Sequence, residues 1–191
     1  MPDLQLLSRD VRQCTLCSEQ LKDGVRPVIQ VGSSARILIA GQAPGSKVHA
    51  SGIPFDDASG DRLRDWMGID KETFYDAQQI AIVPMSFCYP GKGQSGDLAP
   101  LKICAETWRT KLLRAMPEIR LTLIMGQYAV NWHLPNKQRN LTETVRAWAD
   151  YSDQLLPLPH PSPRNNIWLS KNSWFEEEVL PVLKQRVQHA L

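Results

Sequence analysis

The sequence predicts an α/β domain built on a parallel β-sheet that helices cover on both faces. Short apolar runs alternate with segments of helical spacing along the chain, which is the pattern of strand–helix–strand units. The length of 191 residues is typical of one domain, and we find no internal repeat and no linker long enough to divide it. We therefore expect residues 1–191 to form a single domain.

Four apolar runs are the predicted strands. Each is a continuous run, as expected for a strand that is buried on both faces. They are Arg36 to Ala40, Ile80 to Val83, Leu121 to Met125 and Gln154 to Leu158. The predicted helices are Asp61 to Met67, Leu101 to Ala115, Gln127 to His133 and Ser173 to about His189. Ser173 is placed to cap the last helix, and we expect Pro181 to kink it.

The composition excludes several classes of protein. With 42% hydrophobic and 22% charged residues, the chain is not a disordered, collagen-like or coiled-coil sequence. Its longest apolar stretches are far shorter than the roughly 18 residues that span a bilayer. Residues 1–10 lack the basic region and apolar run of a secretory signal, so we expect a cytoplasmic protein. The net charge of +2 neither requires nor excludes a polyanionic partner.

Basic residues locally outnumber acidic ones in the middle of the chain. The basic residues are Lys102, Arg109, Lys111, Arg114 and Arg120, against Glu106 and Glu118. Charges of this kind usually form a solvated surface, so alone they do not predict nucleic-acid binding.

The residues that follow the predicted strands are expected to meet at one edge of the sheet. Ligands of parallel α/β proteins bind beyond the carboxyl ends of the strands. The segments concerned are Gly41 to Gly45, Ser86 to Gly91, Gly126 to Gln127 and His160 to Asn165. We therefore expect the functional site at this edge.

The four cysteines suggest a closed four-sulfur site. Cys14 and Cys17 form a C-x-x-C pair, and Cys88 and Cys104 lie in the middle of the chain. Disulfides are rare in the cytosol, whereas a soft metal ion or a cluster favours four thiolates. The spacing leaves open zinc, an iron–sulfur cluster, a redox-active pair at the first two cysteines, or four unrelated buried thiols. A metal would also explain how an N-terminal segment with few apolar residues is held to the domain.

Several segments together form a recognisable series in order and spacing. They are the cysteine pair within Arg12 to Cys17, the stretch Arg36 to Gly45, the turn Gly52 to Phe55, the pair Cys88 and Cys104 with Pro90 to Gly93, and His160 to Pro163. This series resembles the motifs of the uracil-DNA glycosylase superfamily, specifically its iron–sulfur, family-four-like branch, over almost the whole chain. The resemblance implies a three-layer α/β/α sandwich with a four-stranded parallel sheet. It also implies a [4Fe-4S] cluster on the four cysteines, with zinc as the alternative.

The same resemblance implies a DNA glycosylase of base excision repair, which extrudes a nucleotide and hydrolyses its N-glycosidic bond. The ring of Phe55 would stack on uracil. The backbone of Gln42 and Ala43 would donate to a uracil carbonyl, and Gly45 belongs to the same substrate-binding loop. His160 would donate a hydrogen bond to the oxygen of the departing base. The expected partners are DNA and uracil or a related base, and we expect a monomer.

Two residues after His160 are candidates for contacts with the DNA itself. Ser162 is a candidate for holding a phosphate, and Arg164 for entering the minor groove or filling the gap left by the flipped base.

The chain departs from the family pattern at the catalytic carboxylate, because Gln42 and Ala43 stand where family-four and family-one enzymes carry Glu or Asp. Three interpretations are open. Asp57, in a sequence similar to the Asp-x-Ser-Gly of family-five enzymes, stabilises the sugar cation or positions water, with Asp56 as the neighbouring option. Alternatively, Gln42, His160 and the DNA phosphates suffice for a slower reaction. In the third interpretation, hydrolysis has been lost.

A second departure is Pro84, which stands where many relatives carry Asn. The departures leave two competing functions beside uracil removal. One is a non-catalytic protein that binds damaged or single-stranded DNA, and the other is a glycosylase for hypoxanthine or xanthine.

Overall fold

The computed structural model describes residues 3–191 and contains a four-stranded, all-parallel sheet in the order β2-β1-β3-β4. The strands are β1 (Ile37–Ala40), β2 (Ile80–Ile82), β3 (Leu121–Met125) and β4 (Leu155–Leu158). In the register, Ile37 lies opposite both Ile80 and Leu121, and Thr122 lies opposite Leu155. All four predicted strands are therefore confirmed.

Helices fill the connections between the strands. They are α1 (Leu4–Arg12), α2 (Ser46–Ser51), α3 (Ala58–Met67), α4 (Lys71–Tyr75), α5 (Lys102–Cys104), α6 (Thr110–Arg114), α7 (Gly126–His133), α8 (Leu141–Arg146), α9 (Asn166–Lys171) and α10 (Leu180–Ala190). A π-helical segment, Ala105–Arg109, joins α5 to α6, and a second one, Phe175–Val179, leads into α10. Within residues 3–191, none of these helices is both long enough and apolar enough to cross a membrane.

The core lies on both faces of the sheet, which confirms the α/β/α sandwich. Alternate residues of a strand point to opposite faces. Ile37 and Ile39 of β1 therefore pack in one buried cluster with residues of α3 and α10, such as Leu63 and Leu183. Leu38 packs on the other face, in a cluster with residues of α1 and α6.

The C-terminal helix differs in detail from its prediction. Pro181 lies in the first turn of α10, directly after the π-helical segment Phe175–Val179. Proline is tolerated in the first turn of an α-helix, where its missing N–H needs no partner, and the departure from α-helical geometry lies in the π-helical segment before it. The kink at Pro181 stays a prediction. The expected side-chain cap from Ser173 is wrong. It is the Ser173 carbonyl that accepts, from the N–H groups of Glu176 and Glu177.

The N-terminal segment is held by packing as well as by any metal. Asp3 caps α1 by accepting hydrogen bonds from the N–H groups of Gln5 and Leu6, at 2.9 and 3.3 Å. Val11 is fully buried in the cluster that contains Leu112 of α6. Apolar burial therefore fastens this helix even though the segment has few apolar residues.

The expectation that Arg109 belongs to a solvated surface is wrong, because its side chain is fully buried. Its guanidinium donates to the carbonyls of Val83 and Pro84, directly after β2, and lies 2.7 Å from Nε2 of His133. Burial lowers the pKa of Arg109 to about 9. Burial, with the Arg109 charge adding to it, lowers the pKa of His133 to about 3. His133 therefore serves as a neutral acceptor for a buried cation.

The buried pair of Arg109 and His133 predicts that the free energy of unfolding decreases in acid. Between the ordinary histidine pKa near 6.5 and about 3, the unfolded chain binds a proton that His133 in the folded protein does not. The free energy of unfolding should therefore fall by about 1–2 kcal/mol between about pH 7 and about pH 5. His133→Gln keeps an acceptor for Arg109 and should reduce this fall, as measured by urea unfolding at both pH values. The exposed His189→Gln is the control, and an equal acid slope in all three proteins would contradict the assignment.

Candidate active site

A cavity of about 270 Å³ lies at the carboxyl edge of the sheet. Its lining includes every candidate substrate residue from the sequence: Gln42, Ala43, Gly45, Phe55, Asp57, His160, Ser162 and Arg164. The segments after β1, β2 and β4 all contribute. Gly126 and Gln127 do not line it, because β3 runs directly into α7 at Gly126 without an intervening loop.

The loop after β1 forms one wall of the cavity. It is fixed to the segment after β2, since the carbonyls of Gly41 and Gln42 accept hydrogen bonds from the N–H groups of Met85 and Ser86, at 2.9 and 3.0 Å. The helix α2 begins directly after Gly45. Backbone pairing between the segments after β1 and β2 therefore fixes the backbone at Gln42.

Phe55 has an unusual backbone conformation for a non-glycine residue, with a φ of 55°. Conformations of this kind cost free energy and are held by the surrounding structure. Here the Tyr75 hydroxyl donates to the carbonyl of Pro54 at 2.9 Å, and the Phe55 ring meets Phe74 edge-on at 6.1 Å. The strained turn directs a half-buried aromatic ring to the cavity wall, near Gly41.

Gly60 permits the Phe55 turn to approach α3. A Cβ on Gly60 would lie 1.8 Å from the carbonyl oxygen of Phe55, so Gly60→Ala must displace this turn. We expect a loss of about 1–3 kcal/mol in the free energy of unfolding, measured with urea. Gly41→Ala is the control, because its Cβ would meet its neighbours at 3.9 Å or more. Equal stability of the two variants would contradict the close approach.

Asp57 has a structural role as well as a place in the cavity. It is the N-cap of α3, and its Oδ1 accepts a hydrogen bond from the N–H of Gly60 at 3.0 Å. Its neighbour Asp56 is exposed and does not line the main cavity. Part of the resemblance to Asp-x-Ser-Gly is therefore explained by helix capping and by the close approach at Gly60.

His160 is held rigidly at the end of β4. Its Nδ1 accepts a hydrogen bond from the N–H of Ser162 at 3.2 Å, and its carbonyl accepts from the Asn165 side chain at 2.7 Å. Arg62 of α3 donates to the Ser162 carbonyl at 3.1 Å. The imidazole is therefore fixed from its own loop and from a neighbouring helix.

The hydrogen bond to Nδ1 selects one tautomer of His160. A ring nitrogen that accepts a hydrogen bond carries no proton, so the neutral ring has its proton on Nε2. Burial lowers the pKa of His160, and the carboxylates of Asp57 and Asp97 act in the opposite direction with smaller effect. Near neutral pH the side chain is thus a neutral donor through Nε2.

Ser162 and Arg164 form the outer part of this loop. The Ser162 hydroxyl oxygen accepts a hydrogen bond from the N–H of Arg164 at 3.2 Å, which shapes the turn. Arg164 is exposed, and its guanidinium passes close to Gly96 on the opposite side of the cavity mouth. A basic side chain therefore stands at the entrance, while His160 lies further inside.

The sequence analysis missed one acidic residue of the cavity. Asp97 lies between Cys88 and Cys104 and lines the cavity together with His160. A small hairpin holds it, with a bridge between Lys92 and Asp97. The only sequence signals were the glycines of this hairpin, which mark a turn without indicating which side chain faces the site.

All four cysteines line a second, separate cavity, next to Phe87 and Trp108. Burial, with a smaller contribution from the other cysteines, raises the pKa of Cys88 to about 11 and that of Cys104 to about 12. Two N–H groups point at sulfur: the indole of Trp108 lies 3.3 Å from Cys14 Sγ, and the Phe87 amide lies 3.4 Å from Cys104 Sγ. Within residues 3–191, no three His, Cys, Asp or Glu side chains are arranged to hold a single metal ion.

This donor set fits an iron–sulfur cluster. Thiolates are its usual ligands, and N–H groups that point at the sulfurs are the outer interactions that stabilise such clusters.

The fold and the cavity define a class of protein: a parallel α/β domain with a closed pocket, one aromatic wall and a neutral histidine donor at the carboxyl edge of the sheet. The family model of the Uracil DNA glycosylase superfamily matches residues 29–184. The chain belongs to this superfamily. The match begins after Cys14 and Cys17, and all the candidate substrate residues of the cavity lie within it.

Proposed function

We propose that this protein is a DNA glycosylase that removes uracil or a related deaminated base by hydrolysis of the N-glycosidic bond. The observation that carries the proposal is the meeting of Phe55, Gln42 and His160 in one cavity at the ligand-binding edge of a uracil-DNA-glycosylase fold. A base inside a duplex is out of reach, so the nucleotide must leave the stack and enter this cavity.

Each wall of the cavity has a part in this reaction. The ring of Phe55 stacks on the extruded base, and the loop at Gln42 and Ala43 reads its polar edge. When the C1′–N1 bond breaks, negative charge develops on the base oxygen, and His160 donates a hydrogen bond to it from Nε2. A neutral donor suits this step because it needs no proton from solvent. At the entrance Ser162 holds a DNA phosphate, and Arg164 enters the minor groove or fills the gap left by the flipped base.

We also propose that Cys14, Cys17, Cys88 and Cys104 hold a [4Fe-4S] cluster. Such a group supplies a structural link, because it ties the N-terminal segment and the chain between Cys88 and Cys104 to one point. The support is the common cavity of the four sulfurs and the two N–H groups directed at them. We propose a monomeric, intracellular protein with DNA as its partner.

One observation favours a second candidate, a protein that binds damaged DNA without cleaving it. The loop after β1 brings Gln42 and Ala43 to the cavity, and neither side chain can act as a base. The experiment must therefore separate binding from cleavage.

The test uses protein purified without oxygen and oligonucleotides that carry one uracil, in single strands and in duplexes. Hot alkali cuts the abasic product, and fluorescence anisotropy measures affinity at one fixed salt concentration. Cleavage at uracil, reduced in Asp57→Asn, supports the glycosylase. Cleavage only at hypoxanthine or xanthine would change the preferred base, and affinity without cleavage of any of them would establish the binding protein.

A further inference from the structure

We propose that Asp97 is the carboxylate that accepts the proton of the attacking water. This inference rests on the proposed glycosylase function and identifies the acid missing from the loop after β1. Asp97 lines the same cavity as Phe55 and His160 but comes from the chain between Cys88 and Cys104, far from the other site residues in sequence.

The local structure holds Asp97 at the mouth of the cavity. Its hairpin is closed by a hydrogen bond from the Gly93 amide to the Gly96 carbonyl at 2.6 Å and by another from Leu98 to Gly91 at 2.8 Å. The Tyr89 hydroxyl donates to Asp97 Oδ1 at 3.4 Å. Tyr89 itself is buried, so the hairpin has a fixed anchor.

The second carboxylate oxygen faces the site. Asp97 Oδ2 lies 3.9 Å from the point where a Cβ on Gly45 would stand, and hence lies against the loop after β1. The side chain is exposed in the free protein. An extruded nucleotide keeps its sugar attached to the backbone, so the base enters the cavity and the deoxyribose stays at the mouth. A carboxylate that serves C1′ must therefore lie near the rim.

Asp57 is less suited to this role. Its Oδ1 is already engaged by the Gly60 amide, and it lies at the N-terminus of α3. We assign Asp57 to the helix cap and to stabilisation of the sugar cation.

In the proposed step the C1′–N1 bond breaks, and its electron pair remains on the base, whose oxygen accepts the hydrogen bond from His160. The water oxygen forms a bond to C1′, and one water proton passes to the Asp97 carboxylate. The immediate products are an abasic site, the base as its anion and protonated Asp97. Solvent then takes the proton from Asp97 and protonates the released base.

The first test compares Asp97→Asn with Asp23→Asn in single-turnover cleavage and in binding of the uracil oligonucleotide. Asp23 is exposed, lies near the same hairpin at Gly91 and does not line the cavity. We expect Asp97→Asn to lower the cleavage rate about 100-fold with equal or tighter binding, because removing a negative charge favours DNA. A wild-type rate in Asp97→Asn, or a parallel loss of rate and affinity, would overturn the assignment.

The second test does not depend on turnover. DNA with a cationic pyrrolidine in place of the deoxyribose should bind about 10- to 100-fold more tightly than DNA with a neutral tetrahydrofuran, since a carboxylate faces the cation. Asp97→Asn should reduce this preference to the part that Asp57 supplies, and Asp23→Asn should keep it in full. If the wild-type protein cleaves no uracil yet shows the Asp97-dependent preference, uracil is not the substrate base, whereas the assignment of Asp97 is retained. Equal affinities for the two DNAs in the wild-type protein would overturn it.

Discussion

Replacing His160 with alanine is expected to lower the single-turnover rate of base release by about 100- to 1,000-fold. The loss follows from the removal of the Nε2–H donor at the oxygen where charge develops. Affinity for the uracil oligonucleotide should change little, because the donor acts mainly on the departing base. The measurement is alkaline cleavage under single-turnover conditions, together with fluorescence anisotropy.

The pH profile distinguishes this role from a structural one. Burial lowers the pKa of His160 below the ordinary value of 6.5. The neutral donor therefore persists below that pH, and the rate should fall only in more acidic solution. The exposed His189→Gln keeps the histidine count of His160→Ala and should behave as wild type. A wild-type rate in His160→Ala would remove His160 from the mechanism.

Cys17→Ser is expected to lower the iron content and the thermal stability together. An oxygen ligand is a poor substitute for thiolate in a cluster that needs about four iron atoms per chain. The proposed cluster would link the N-terminal segment to the chain between Cys88 and Cys104, so its loss should lower the Tm by about 5–10 °C. Elemental analysis for iron and zinc, with thermal unfolding followed by circular dichroism, measures both.

The matched control is Thr15→Ser, which lies between the two N-terminal cysteines in an exposed position. It should retain the metal and the Tm of the wild-type protein. Zinc in place of iron in the wild-type protein would replace the cluster by a single-ion site. If the wild-type protein contains neither iron nor zinc and Cys17→Ser has an unchanged Tm, the four cysteines are free thiols.

The strands and the pocket could be predicted because the sequence signals are local. A continuous apolar run such as Leu121–Met125 predicts a buried strand from the local sequence alone. Once the strands are parallel, the residues after them must share an edge, which is why the loops at Gln42 and His160 lie in one cavity. The short helix α4 was missed although Asp70 caps it, accepting from the Thr73 amide at 2.7 Å. A search for caps could have found it.

Other features depend on tertiary structure. The burial of Arg109 depends on the π-helical segment Ala105–Arg109 and on the carbonyls after β2, which no helical periodicity reveals. Asp97 reaches the cavity because the chain between Cys88 and Cys104 forms a hairpin. No motif in the neighbouring sequence marks Asp97 as a site residue. Asp57, the acid that the sequence offers, does line the cavity, but part of its motif is explained by helix capping.

The strained turn at Phe55 has a consequence for how this chain can change during evolution. A φ of 55° suits glycine better than phenylalanine, so Phe55→Gly would relieve backbone strain. The same change would also remove the half-buried ring that packs on Phe74 and forms the aromatic wall of the cavity. Descendants of this chain that keep a ring at this position therefore retain the backbone strain together with the packing and the pocket that the ring provides.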